Sequence, residues 1–233
     1  MHHRRFRPLH DLLSLIYPEV CIHCGELLVG DERNLCTYCL SQIEWSDNAT
    51  VPFNEVEQRL IGHIPVQAAA TLMHFKKQSV VQDIIHQIKY HGNTSMAHNY
   101  GILLGEALLN SGRFQDIDYI VPVPLHRSRK RRRGYNQSQL ISEGISQVLG
   151  IPISANNLYR KRRTKTQTHK SREERQTNVN GAFAVRHPKI FQNKHILLVD
   201  DVITTGATTE SCYKSLAEIE GLGISIAALA LAT

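Results

Sequence analysis

The chain has 233 residues, of which 42% are hydrophobic and 21% charged, as in a globular protein with one mid-sized domain and a small appendage. Its longest apolar stretch, Ile224–Ala232, has about half the length of a membrane-spanning helix, which excludes a transmembrane segment. The segment after the N-terminal arginines is too short and too polar for a secretory signal. We therefore expect a cytoplasmic protein without membrane insertion.

The formal net charge of +6 is concentrated in two segments. Residues 127–133 (RSRKRRR) hold six basic residues and no acid, and residues 160–175 hold eight basic residues and two acids. The rest of the chain is therefore net negative. This pattern favours local anion sites over a generally basic nucleic-acid binder.

The N-terminal part contains two closely spaced cysteine pairs. A short helix is predicted over residues 9–18, and the pairs follow in the pattern C-x2-C-x11-C-x2-C, with a short helix leaving the second pair. Two such knuckles can close a tetrahedral thiolate shell around Zn²⁺, and a four-thiolate site is closed and therefore structural. The predicted ligands are Cys21, Cys24, Cys36 and Cys39.

Other readings of the cysteine pairs are disulfides or unrelated buried cysteines, and His23 could replace one thiolate. We place a domain boundary in the polar stretch at about 50–60. The predicted units are a four-cysteine module, residues 1–55, and a larger domain, residues 56–233. Metal removal is expected to unfold only the first ~50 residues, because so small a module has little core of its own.

Apolar patterning predicts alternating strands and helices in the larger domain. Strands are expected over residues 67–76, 118–124, 181–185, 194–202 and 224–233, and helices over residues 79–92, 96–110, 136–149 and 207–220. Loops are predicted over residues 127–133 and 160–180. This alternation indicates an α/β fold with a mainly parallel sheet flanked by helices.

The stretch ILLVDDVITTGAT, residues 196–208, combines a buried strand with two acids and a small polar loop. Carboxylates only accept hydrogen bonds, so Asp200 and Asp201 (the Asp pair) suit a vicinal diol such as that of ribose. The loop leads into a helix N-terminus, which suits a phosphate. We call it the threonine loop: Thr204, Thr205, Gly206, Ala207 and Thr208. The alternative is that these residues only cap the helix.

This stretch resembles the phosphoribosyl-pyrophosphate (PRPP) signature of type I phosphoribosyltransferases. With the four-cysteine module, IKYHG, VPVPLHRSRKRRRGYNQS and TKTQTHKSREERQTNVNGAF, nearly the whole chain resembles the ComF family of bacterial competence-associated proteins. The resemblance implies a type I phosphoribosyltransferase-like fold, with a small hood at about 60–115 on a core at about 116–233. It also implies PRPP binding with Mg²⁺.

The resemblance also gives expected roles to the basic segments and the hood. The implied pyrophosphate loop contains Arg129, Arg133, Asn136 and Gln137. The implied flexible loop over the reacting sugar contains Arg163, Thr164, Gln167 and Arg175. In the hood, Lys89 and Tyr90 either reach the ligand or simply pack. The alternatives for the basic segments are a solvated or DNA-binding charge run and an ordinary surface loop.

Two functions are compatible with these residues. The first is a Mg²⁺-dependent transfer of the phosphoribosyl group of PRPP to a nucleobase-like nitrogen acceptor, with release of pyrophosphate. The second is a binding module: a sensor of PRPP, ribose 5-phosphate or nucleotides, or a single-stranded DNA binder that meets DNA-uptake or recombination proteins during natural transformation. Few aromatic residues are present for stacking on bases, which weakens the DNA-binding alternative. The sequence does not identify the acceptor.

Overall fold

The computed structural model describes residues 18–161 and 181–233. Except for Pro18, the predicted helix 9–18 lies outside the described residues. The helices are α1 (Thr37–Ser41), α2 (Glu55–Leu60), α3 (Val80–Tyr90), α4 (Thr94–Ser111), α5 (Arg127–Arg133), α6 (Gln137–Leu149) and α7 (Ala207–Leu216), with a 3₁₀ turn at Pro188–Phe191. The strands are β1 (Ala69–Phe75), β2 (Tyr119–Pro122), β3 (Leu158–Arg160), β4 (Phe183–Val185), β5 (His195–Ile203) and β6 (Gly223–Ala232).

The central sheet has four parallel strands in the order β1-β6-β5-β2. Its two middle strands are apolar because helices cover both faces, and eight consecutive residues of β6 are buried. Strands β3 and β4 form a separate antiparallel pair. The predicted α/β class, a parallel sheet with flanking helices, is confirmed. Within the described ranges, no helix is both long and apolar enough to cross a bilayer.

Two helices differ from the sequence prediction. Helix α2 lies in the polar stretch around the predicted boundary, where the Asn54 side chain caps it by accepting from the backbone N–H groups of Val56 and Glu57. The prediction of a loop at residues 127–133 is wrong, because this segment is helix α5. Arginine and lysine are good helix formers, His126 caps the first turn, and Gly134 ends the helix with a φ of 84°.

The four-cysteine module packs on the larger domain. Its buried residues Cys21, Leu35, Cys39, Ile43 and Ala49 belong to the same apolar cluster as four residues of α3: Val81, Ile84, Ile85 and Ile88. Segment 60–115 contributes β1 to the central sheet, where β1 pairs with β6. The boundaries of the module, hood and core remain predictions.

Helices α4 and α6 cross at two glycines. A Cβ on Gly144 would lie 2.3 Å from the His98 carbonyl oxygen, and one on Gly101 would lie 2.4 Å from the Ile141 carbonyl oxygen. Both approaches are to backbone atoms, which cannot rotate away. This crossing fixes α6, whose first turn reaches the Asp pair.

Gly144→Ala is expected to destabilise the protein by about 1–3 kcal/mol, because the overpacked crossing outweighs alanine's higher helix propensity. Urea denaturation measures the free energy of unfolding. Gln147→Ala, at an exposed position of the same helix, is the control and should change it by less than about 0.5 kcal/mol. Equal stability of the two variants would contradict the close crossing.

Candidate functional site

The Asp pair lies at the carboxyl edge of the central sheet. Strand β2 ends where Pro122 pairs with Val199, so Asp200 and Asp201 extend past it. Both aspartates are half-buried. Open parallel sheets bind ligands beyond the carboxyl ends of their strands, and the Asp pair is placed accordingly.

Asp200 is held by two hydrogen-bond donors. Its Oδ1 accepts from the Ser138 hydroxyl at 3.2 Å and from the backbone N–H of Asp201 at 2.8 Å. Burial, with the neighbouring charge of Asp201, raises the pKa of Asp200 to about 7, although these hydrogen bonds and the charge of Lys89 oppose the rise. Asp200 therefore titrates near neutral pH. Ser138, in the first turn of α6, was not predicted.

Lys89 binds the second carboxylate. Its Nζ lies 3.0 Å from Asp201 Oδ1, and the two side chains are 23% and 15% exposed. Lys89 therefore lies at the Asp pair, and its expected contact with the ligand stays a prediction. Tyr90 is 60% exposed and lies under the Arg133 guanidinium, with 5.0 Å between Arg133 Cζ and the ring centroid.

The threonine loop begins helix α7. Gly206 is the N-cap residue, with a φ of 78° and no side chain to cap the helix. The backbone N–H of Ala207 donates to Thr205 Oγ1 at 3.4 Å, and both threonines before the glycine are exposed. Neither aspartate caps α7, so the helix-cap alternative does not explain the Asp pair. The N-terminal amides of α7 offer hydrogen-bond donors to an anion.

Arg59 of α2, which no sequence motif indicates, supports the threonine loop. Its guanidinium donates to the Thr204 carbonyl oxygen at 2.8 Å and also to the Ala232 carbonyl oxygen. Leu60 packs on Gly206. Helix α2 thus ties the loop to the end of β6.

The residues of the predicted pyrophosphate loop fall into two groups. Arg133, Asn136 and Gln137 lie around the start of α6, whereas Arg129 is exposed on α5. The Asn136 amide donates to the Val123 carbonyl oxygen at 3.1 Å. Among the described residues, Arg133 Nε and Gln137 Nε2 are buried without a hydrogen-bond partner. Such buried donors are costly, and an anionic ligand at this position would satisfy them.

The predicted flexible-loop residues Arg163, Thr164, Gln167 and Arg175 lie outside the described residues. Their role stays a prediction.

The four predicted metal ligands come together. All four Sγ atoms lie within 4.8 Å of one another, and Cys24 Sγ is 3.7 Å from Cys36 Sγ. A tetrahedral zinc site with Zn–S bonds of about 2.3 Å has sulfur–sulfur distances of about 3.8 Å, so this donor set fits Zn²⁺. Among the described residues the cluster consists of the four cysteines, and His23 is not part of it; its Nδ1 lies 2.8 Å from Asp83 Oδ2.

The thiols of this cluster are unequal. At Cys21, burial raises the pKa, but the backbone N–H groups of Cys24 and Cys36 outweigh it and lower the pKa to about 6. At Cys39, burial raises the pKa of the thiol. A bound cation would favour the thiolate at every position.

Comparison with known proteins identifies relatives in competence and DNA use. The chain is 31% identical over 202 residues to competence protein F of Haemophilus influenzae, covering 85% of this chain and 79% of that protein. It is 36% identical over 128 residues to DNA utilization protein YhgH of Salmonella typhi, covering 54% of this chain and 56% of that protein. It is 31% identical over 113 residues to competence protein ComFC of Bacillus subtilis, covering 48% and 43%.

The solved structures that the chain matches are more distant in sequence. Glutamine PRPP amidotransferase from B. subtilis is 19% identical with a TM-score of 0.41, covering 61% of this chain and 30% of that chain. Adenine phosphoribosyltransferase from Leishmania tarentolae is 15% identical with a TM-score of 0.39, covering 88% and 90%.

No family model matches the chain. The assignment rests instead on the Haemophilus protein, whose 31% identity extends over 79% of its own length. This is the family that the motifs predicted. The chain belongs to the ComF family of competence proteins.

Proposed function

We propose that this protein binds PRPP with Mg²⁺ and transfers the phosphoribosyl group to a nucleobase-like nitrogen acceptor. The observation that carries the proposal is the placement of the Asp pair at the sheet edge, on the strand that runs directly into the threonine loop. Together they offer acceptors for two ribose hydroxyls and donors for the 5-phosphate. A cytoplasmic location is part of the same proposal.

In the proposed reaction, the acceptor nitrogen forms a bond to C1 of the ribose as the bond from C1 to the diphosphate oxygen breaks. The electron pair of that bond leaves with pyrophosphate, and the acceptor loses its N–H proton. Positive charge develops on the ribose ring, and the Asp pair stabilises it electrostatically. Asp200 serves this role best in its ionised form.

The diphosphate end is assigned to the start of α6. The unpaired Nε of Arg133 and Nε2 of Gln137 are the donors that a diphosphate would satisfy. Mg²⁺ would be held mostly by the diphosphate, with the carboxylates of the Asp pair as matching oxygen donors, and it would neutralise charge on the leaving group. Lys89, beside Asp201, contributes a fixed positive charge.

Calorimetry with PRPP, with and without Mg²⁺, tests the binding step. Micromolar binding that weakens without Mg²⁺ is expected, and the absence of any heat at millimolar PRPP would overturn the proposal. A pyrophosphate-release screen over nucleobases then tests transfer. Binding with no release for any acceptor would identify a PRPP sensor instead of a transferase.

A second candidate function is single-stranded DNA binding by α5. Ser128, Arg129, Lys130, Arg131 and Arg132 are all exposed, so this helix presents a basic surface to solvent. Counterion release predicts an affinity that falls steeply with salt. Binding of a labelled oligonucleotide between about 50 and 200 mM salt measures it, and a flat salt dependence would exclude this role.

A further inference from the structure

Helix α3 is held at both ends by the four-cysteine module. Near its start, Asp83 Oδ2 lies 2.8 Å from Nδ1 of His23. Just beyond its end, the Asn93 amide donates to Asn34 Oδ1 at 2.8 Å. The two contacts lie about ten residues apart along the chain, so together they fix the position of α3 and its orientation.

The two module residues in these contacts belong to the metal knuckles. His23 lies between Cys21 and Cys24, and Asn34 lies two residues before Cys36 with a left-handed φ of 62°. The knuckles are also joined directly, because the backbone N–H of Ile22 donates to the Asn34 carbonyl oxygen at 2.8 Å. A metal bound by the four thiolates therefore fixes both contacts to α3 at once.

The C-terminal turn of α3 reaches the candidate ligand site at three consecutive residues. The Ile88 carbonyl oxygen accepts from the Tyr135 hydroxyl at 2.6 Å, Lys89 pairs with Asp201, and Tyr90 lies under Arg133. Asp201, at the proposed ribose end, and Arg133, at the proposed diphosphate end, thus both contact this one turn. A shift of α3 would move Lys89 and Tyr90 together.

We propose that the four-cysteine module positions the ligand site through α3, with His23 and Asn34 as positioning residues, so that metal occupancy and PRPP affinity increase together. This inference rests on the proposed function. Coupling between two sites is reciprocal: if the bound metal tightens PRPP binding, PRPP must tighten metal retention by the same factor. We expect a factor of about 5 to 150, the usual range for such coupling. If the four-cysteine module did not influence the ligand site, the coupling factor would be one.

Zinc transfer to a chromophoric chelator tests the coupling without requiring turnover. Saturating PRPP is expected to lower the zinc transferred at equilibrium by about 5-fold or more in the full chain. Asp83→Ala removes the partner of His23 and should reduce the PRPP effect to below about 2-fold. Asp83→Asn, which keeps an oxygen acceptor for the ring, should restore most of it. Gln87→Ala, on the same helix, is the control and should retain the full effect.

Hydrogen exchange separates failure of this inference from failure of the proposed function. If PRPP gives no calorimetric heat, the proposed function fails, and the coupling is read from amide protection of residues 84–92 before and after zinc removal. Lost protection there, with residues 196–200 still protected, supports the positioning role. Unchanged protection overturns it, as does zinc transfer that is independent of PRPP when PRPP binds.

Discussion

Asp200→Asn is expected to weaken PRPP binding by on the order of 100-fold while making the ligand-free protein more stable at pH 8. An amide can accept only some of the hydrogen bonds that the carboxylate offers, and the substitution removes the negative charge that opposes positive charge on the ribose. The loss of binding should be measurable by calorimetry. The gain in stability follows from the raised pKa of the Asp200 carboxyl group in the folded protein.

The sign of the pH dependence follows from the raised pKa. Asp200 has a pKa of about 7 in the folded protein against 3.8 in the unfolded chain, so the folded state holds its proton more tightly. Between about pH 4 and pH 7 the group's contribution to stability therefore decreases as pH rises. The asparagine side chain of the variant does not ionise, and removing this cost should stabilise the protein by roughly 1–3 kcal/mol at pH 8.

Ligand binding should depend on pH in the opposite direction. In the proposed complex the ionised Asp200 would accept the ribose hydroxyls, so PRPP affinity of the wild type is expected to rise through about pH 7. The variant should lose this rise. Denaturation and calorimetry at about pH 5.5 and pH 8, on either side of this pKa, measure both quantities.

Asp118→Asn provides a control of opposite sign. The hydrogen bond and charge of Lys194 lower the pKa of Asp118, so this carboxylate stabilises the fold above its unfolded pKa and loses that contribution as pH falls. Its variant should be no more stable than wild type at pH 8 and should bind PRPP normally. A stabilised Asp118→Asn, or an Asp200→Asn that binds PRPP as wild type does, would contradict the assignment.

Local patterns were sufficient to predict much of this fold. Three patterns were informative: the apolar run into Asp200, the 3.6-residue periodicity of α3 and the paired cysteine spacing. Each depends on residues within about one turn or one strand of each other, and each predicted element is present. The site residues on those elements could therefore be predicted before the structure. Lys89 is different, because only the family resemblance suggested a place near the ligand, and only the fold shows that its Nζ lies at Asp201.

The residues that sequence reasoning missed depend on tertiary contacts. Arg59 lies 145 positions before Thr204, on a short helix in a polar stretch, and nothing local indicates that its guanidinium supports the threonine loop. Ser138 contacts Asp200 across 62 positions of sequence, on a helix that packs closely on α4 at Gly101 and Gly144. The loop prediction for residues 127–133 is wrong for a different reason. The high charge of the segment suggested a loop, but arginine and lysine have high helix propensity.

Gly206→Ala is the other substitution with a large expected effect. At a φ of 78° an alanine costs about 1–2 kcal/mol of backbone strain, and its Cβ would lie 3.0 Å from Leu60 Cδ2. Either the end of the Leu60 side chain must shift by a few tenths of an ångström, or the loop must move away from α2 against the hold of Arg59 on Thr204. Since the amides proposed to bind the 5-phosphate belong to this loop, PRPP affinity should fall by about 10- to 100-fold.

Gly150→Ala separates strain from function. Gly150 also has a left-handed φ, 69°, at the end of α6, and a Cβ there meets no atom within 4 Å. Its alanine variant should lose about 1–2 kcal/mol of stability yet bind PRPP with wild-type affinity. If Gly206→Ala loses stability but binds PRPP equally well, the glycine serves only the turn into α7, and the 5-phosphate must be held elsewhere. If Gly206→Ala loses both stability and PRPP affinity, the left-handed glycine is needed because the ligand approaches the backbone at that position.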